Sequence, residues 1–243
     1  MIIGSYTAAC IREHAASEYP REACGLIAVV KGKQRYLPCR NIAESHNENF
    51  AVHPLDYATA EDMGEIMALV HSHPDTNNRP SEADRVMMAR GNMPWFIVSV
   101  NVQGECSEIA EYQPEGYDAP LVGRQFCHGI LDCYTLIRDY YSRELNIVLP
   151  DFDRTDHWWN KGEDLYMEHF REAGFEPIKG AIKKHDVILM QIRAPKVNHG
   201  AVFLGEPDHM IHHMYGRLSS REVYGGWYQE CTRIIIRHRD MPQ

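Results

Sequence analysis

The chain has little of what marks an exported, membrane-spanning or nucleic-acid-binding protein. No apolar run approaches the ~20 residues needed to cross a bilayer, and no charged-then-apolar leader opens the sequence, so the chain is expected to fold in a reducing cytoplasm. The seven cysteines, Cys10, Cys24, Cys39, Cys106, Cys127, Cys133 and Cys231, are odd in number and form no CxxC pair. That pattern argues against a disulfide framework and against a thiolate-rich zinc knuckle. Basic residues are also scarce. Lysine and arginine total 25 against 34 acidic residues, a net charge of −9, which argues against the general basic footprint that nucleic acids require. GxGxxG, GxxxxGK[ST] and HExxH are absent, as are internal repeats and low-complexity tracts.

What is present suits two modest cores. The chain has 243 residues, 44% hydrophobic and 24% charged, which allows two compact units of roughly 110–130 residues each. Residues 1–112 read as mixed α and β. Helices are predicted at 7–18, ending at Pro20, after Pro54 with Tyr57, Met63 and Ile66 turned inward, and at 81–90. Strands are predicted at 24–30, 34–37, 68–73, 95–100 and 106–112. Residues 113–123 hold two prolines and two glycines without a sustained period and are assigned as a linker. In 124–243, helices are predicted at 132–144, with Leu136, Ile137 and Tyr140 on the apolar face, and at 163–173. Strands follow at 187–192, 199–204, 210–212 and 232–237. Helices first and strands later predict an α+β unit with an antiparallel sheet.

In the first half, His71-Ser72-His73-Pro74 is followed by Ser81 and Asp84. On a strand, residues 71 and 73 share a face, so two imidazoles can converge on one ion. Asp84 adds a carboxylate from the next helix, and such a set leaves a position open for water, as in a catalytic zinc site. The plainer alternatives are a surface His-x-His pair and, for Ser81 and Asp84, a helix cap. Taken together, Glu22-Ala23-Cys24-Gly25, His71-Ser72-His73-Pro74 and Pro80-Ser81-Glu82-Ala83-Asp84 resemble the Mov34/MPN/JAMM zinc isopeptidases and metalloproteases over about residues 1–111. The resemblance implies a sheet flanked by helices and Zn2+ held by His71, His73 and Asp84. It also implies Glu22 as general acid/base and Ser81 as a holder of the tetrahedral intermediate.

In the second half, Asp132 is a good N-cap that sets Cys133 in the first turn of a helix, where free N–H groups favour thiolate. A lone cysteine there is otherwise a packed small hydrophobe. His199 can serve as base, and His209, His212 and His213 all remain open as its orienting partner, with 212 and 213 facing opposite ways. Asp132-Cys133-Tyr134-Thr135-Leu136, His185-Asp186-Val187 and Asn198-His199-Gly200-Ala201-Val202-Phe203-Leu204-Gly205 resemble NlpC/P60 cysteine peptidases over about 124–240. That resemblance implies a papain-like helix packed on an antiparallel sheet, and hydrolysis of amides in peptidoglycan stem peptides. It assigns Cys133 as nucleophile, His199 as base and His212 as the orienting residue, with Tyr134 standing where a small residue is usual. Trp158 and Trp159 are expected to be packed, sealing a domain interface, ahead of stacking on a sugar or lining a cleft.

The order of the two halves is similar to that of tail assembly proteins of lambda-like siphophages, a match strengthened by residues 132–141, 156–159 and 212–218. It implies phage tail tip proteins and peptidoglycan peptides as partners, with no nucleic acid and no stable membrane insertion. The host cytoplasm during assembly and the virion tail tip would be its places of action. Against a two-site amide hydrolase stand an assembly factor with silent sites and an unrelated metal-binding module.

Overall fold

The structure is a computed structural model that describes residues 1–45, 49–205 and 207–241. It divides into two compact units, Met1–Asp118 and Ala119–Gln243, each with its own sheet.

The first unit runs α1 (Ser5–Glu18), β1 (Cys24–Val30), β2 (Lys33–Cys39), α2 (Pro54–Met63), β3 (Glu65–Pro74), α3 (Glu82–Ala89), β4 (Trp95–Val100) and β5 (Ala110–Tyr112). Its sheet has the order β2-β1-β3-β4-β5, antiparallel throughout except for the parallel β3–β4 pair. β1 reads as an unbroken apolar run because both of its faces are covered. Ile27, Ala68, Val70, Phe96 and Val98 pack with Ile11 and Ala15 of α1. Leu26 and Cys24, on the other face, pack with Ala60 and Tyr57 of α2. Met63, expected inside, is instead exposed, and Ile66 lies on β3. The reason is an early end to α2 at Gly64, where any side chain would strike the Val29 carbonyl 2.1 Å from the Cβ position. β3 therefore begins at Glu65, three residues before its predicted start. The strand predicted at 106–112 shortens to β5, with an isolated bridge from Cys106 to Val100.

The second unit contains α4 (Cys133–Leu145), a short 3-10 turn (Trp158–Asn160), α5 (Leu165–His169), β6 (Phe175–Pro177), β7 (Val187–Met190), β8 (His199–Gly205), β9 (His209–His212), β10 (Ser220–Val223), α6 (Trp227–Cys231) and β11 (Thr232–His238). Every pairing in its β10-β9-β8-β7-β11-β6 sheet is antiparallel. Leu136, Ile137, Tyr140 and Tyr141 of α4 pack on Val187, Leu189, Val202 and Ile236. The helix predicted at 163–173 is only five residues long. Its exit turns through Gly174 at φ 92°, where His238 occupies the space a Cβ would need. β6, β10 and α6 had no counterpart in the sequence reading. β10 is an edge strand of sequence Ser-Arg-Glu-Val with no residue buried, so it carries no apolar alternation to detect.

Candidate functional site

In the first unit the site forms where β3 leaves the sheet. His71 and His73 project from the α2 side, and Asp84 comes back from the first turn of α3. Nε2 of His71 lies 3.0 Å from Nε2 of His73. Asp84 sets one oxygen 3.4 Å from His71 Nε2 and the other 3.3 Å from His73 Nε2. All three residues are buried, and their donor atoms lie within 4.8 Å of one another. Donors bound to one tetrahedral zinc at ~2.0–2.1 Å stand about 3.3 Å apart, so the spacing fits.

Hydrogen bonding and charge at the cluster follow from its burial. His73 Nδ1 faces the Asn77 carbonyl at 2.9 Å, which fixes its hydrogen there and leaves the Nε2 lone pair for the cluster. Burial pushes the His71 pKa down, against the pull of Asp84, so that imidazole is neutral. For His73, burial also depresses the pKa, but Asp84 and the Asn77 carbonyl outweigh it and the net shift is upward. Burial opposes ionisation of Asp84, yet the two histidines hold its carboxyl well below the usual range. Phe50 stacks on His71 at 4.5 Å between centroids and Trp95 meets it edge-on at 5.5 Å, so the ring cannot turn away. Sequence patterning did not disclose these two aromatic partners.

Ser81 and Asp84 form a reciprocal capping box. Ser81 Oγ accepts the Asp84 N–H at 3.1 Å, and Asp84 accepts the Ser81 N–H at 2.7 Å. The cap and the carboxylate of the His-His-Asp cluster are thus one arrangement, and the Ser81 hydroxyl proton stays available to a neighbouring acceptor. Glu22 is set by sheet register. Cys24 pairs with His71. One step on, Ser72 donates its N–H to the Ala23 carbonyl at 2.9 Å while Ser72 Oγ accepts the Ala23 N–H at 2.8 Å. Glu22, just before this pair, is buried, and its charge helps raise the His73 pKa.

In the second unit the polar residues line a cavity of about 380 Å³. Asp132 caps α4, accepting the Thr135 N–H at 2.8 Å. Its buried carboxylate is held by Arg154, whose Nε donates to Oδ2 at 2.7 Å. Cys133 follows at the first helical position and lines the cavity with His199. Among the described residues the two share no direct hydrogen bond: the Cys133 sulfur is paired with the Tyr166 hydroxyl at 3.2 Å. His199 Nε2 meets His212 Nδ1 at 3.1 Å, and His212 Nε2 lies 3.3 Å from Glu222 Oε1. The geometry thus joins His212 to His199. His213 turns the other way, its Nε2 donating to the Arg217 carbonyl, and His209 pairs at the strand start.

The expectation of a stabilised thiolate is overturned. Burial first, and the Asp132 charge second, raise the Cys133 pKa above the ordinary thiol value, outweighing Tyr166, the Gly200 N–H and Arg154. Burial, with the charges of His212 and His213, pushes the His199 pKa well below 6.5. The resting pair is a neutral thiol beside a neutral imidazole. Trp158 is buried, but both it and Trp159 line the cavity, the cleft role that the sequence ranked behind an interface. Tyr166, Arg154 and Glu222 escaped the sequence reading. Each meets its partner across at least ten residues, and none lies in a recognisable spacing.

A zinc-type His-His-Asp cluster in one unit and a cavity holding a cysteine and a histidine pair in the next define a two-unit chain of the JAB and NlpC/P60 classes. Family models agree: prokaryotic homologs of the JAB domain match residues 5–112, and the NlpC/P60 family matches residues 123–237. The chain belongs to the tail tip assembly protein K family. It is 41% identical over 234 residues to tail tip assembly protein K of Escherichia phage N15, covering 95% of this chain and 93% of that protein. It is 37% identical over 187 residues to the protein of that name in Escherichia phage lambda, covering 76% and 88%. Among solved structures, a protein from Desulfitobacterium hafniense is 25% identical, with a TM-score of 0.38 over 45% of this chain and 87% of its own. A JAB1/MPN domain protein from Archaeoglobus fulgidus is 22% identical, with a TM-score of 0.29 over 46% and 86%.

Proposed function

We propose that the chain takes part in tail tip assembly as a hydrolase of amide bonds, with two chemically independent sites. The observation that carries this proposal is the convergence, in each unit, of polar side chains of the kinds amide hydrolysis needs. His71, His73 and Asp84 would hold Zn2+. The chemistry supplied at such a site is a water of lowered pKa and a polarised carbonyl. Glu22 takes the proton of the attacking water and returns it to the leaving nitrogen, while the Ser81 hydroxyl donates to the developing oxyanion. This site would act on peptide or isopeptide bonds.

In the second unit Cys133 gives its proton to His199 as its sulfur attacks the amide carbon, His199 passes that proton to the leaving amine, and water activated by the same imidazole then releases the acyl group as its acid and restores the thiol. His212, steadied by Glu222, keeps the His199 ring in place. Stem peptides of peptidoglycan are the proposed substrates of the second site, and tail tip proteins are the proposed partners of the whole chain.

Metal analysis tests the first half of this proposal. One zinc per chain is expected, and His71→Ala with His73→Ala should abolish it. Glu22→Gln should keep the zinc while removing chelator-sensitive amide cleavage. Loss of zinc from Glu22→Gln, or cleavage undiminished in it, would overturn the assignment.

A further inference from the structure

We infer that the Tyr166 hydroxyl is a further catalytic group of the thiol site, donating a hydrogen bond to the Cys133 sulfur as negative charge gathers there. The inference rests on the reading of Cys133 as nucleophile and adds a residue to it. Its first support is contact: the hydroxyl stands 3.2 Å from Sγ, the atom that reacts. A second support is the clearance made for it. A Cβ at Gly200 would lie 2.9 Å from the Tyr166 hydroxyl and 2.7 Å from Ile137 Cδ1, so the glycine beside His199 is what lets the hydroxyl reach the sulfur. Third, the ring is fixed, with Trp158 and Tyr134 meeting it edge-on, each at 6.2 Å, in the cavity wall.

The direction of the bond follows from the chemistry. When the S–H bond breaks and its proton passes to His199, sulfur is left an acceptor only, so the phenol must be the donor. As the C–S bond forms, the carbonyl π pair moves to oxygen, and Tyr166 keeps its own proton throughout. A hydrogen bond to a charged group stabilises that state more than the neutral one, and a half-buried thiol with a raised pKa has the most to gain from it.

The test is the pH profile of Cys133 alkylation by iodoacetamide in the full chain, with modification read at Cys133 by peptide mass spectrometry. Tyr166→Phe keeps the ring and removes the donor. Alkylation at pH 8 is expected to slow about ten-fold, with the midpoint of the profile displaced upward by about one unit. Placing 3-fluorotyrosine at 166 makes a more acidic donor and should move the midpoint down, a response that ring packing alone would not produce. A profile unchanged in both variants, or faster alkylation in Tyr166→Phe, would overturn the inference. Alkylation reports on the thiol whether or not any peptide is cut. Absence of Cys133-dependent cleavage would therefore count against the hydrolase proposal alone.

Discussion

The neutral state of Cys133 and His199 has a consequence for pH. His199 must be unprotonated to accept the thiol proton, and its pKa lies well below 6.5, so the acid limb of thiol-dependent kcat/KM falls below that pH. Cys133 stays a thiol until the pH passes its raised pKa, which lies above the ordinary value of 9.0. Cleavage by this site is therefore expected to be level between about pH 6.5 and 9. An acid limb centred above pH 6.5, or rapid alkylation of Cys133 at pH 6, would mean that the thiolate–imidazolium pair forms at rest. The two sites also differed in how far their spacing could be followed. His71, His73 and Asp84 lie within fourteen residues of one another, so strand alternation and one helix cap were enough to bring them together. Helix-start logic placed Cys133 correctly but misjudged its charge, because the desolvation imposed by packing α4 on the sheet is a tertiary effect.

The start of α4 is the element on which the thiol site depends most. Asp132 accepts from Gly129, Thr135 and Arg154, and the Arg154 guanidinium also reaches the Gly129 carbonyl and Thr135 Oγ1. Burial works against the Asp132 charge, yet Arg154 holds its carboxyl below the usual carboxylate range. A depressed carboxyl pKa contributes stability that is present above the unfolded value of about 3.9 and is lost as the pH falls through the folded one. Arg154→Met leaves that carboxylate buried without its cation. It should cost about 3–5 kcal/mol by chemical denaturation at pH 7, and the loss should shrink toward pH 3 as Asp132 protonates. A cost under about 1 kcal/mol would show that water or another donor replaces the arginine. α4 was legible because its apolar face repeats at helical spacing, β1 because its apolar run is unbroken, and α1 because Pro20 ends it. α5 and β10 were not. The first is only five residues long and gives way to a Gly174 turn set by contact with His238, and the second is a polar edge strand.

Each unit closes its own core and carries its own candidate chemistry, so a cut between residues 113 and 123 should release two folded pieces. Unfolded fragments by circular dichroism would refute the proposed boundary. The division into two units was read from the aperiodic segment 113–123 with its prolines and glycines, while the order of strands within each sheet is set by pairings between distant segments that periodicity does not encode. Two independent hydrolytic sites in one chain make a prediction that neither site makes alone. The measurement that bears on it most directly is cleavage of peptidoglycan stem peptides by the full chain, with and without a zinc chelator, compared with Cys133→Ser. The expected result is cleavage that survives the chelator and disappears in Cys133→Ser. Cleavage that persists in Cys133→Ser and vanishes with the chelator would contradict the two-site proposal, leaving one metal-dependent activity and a second unit that serves assembly by binding alone.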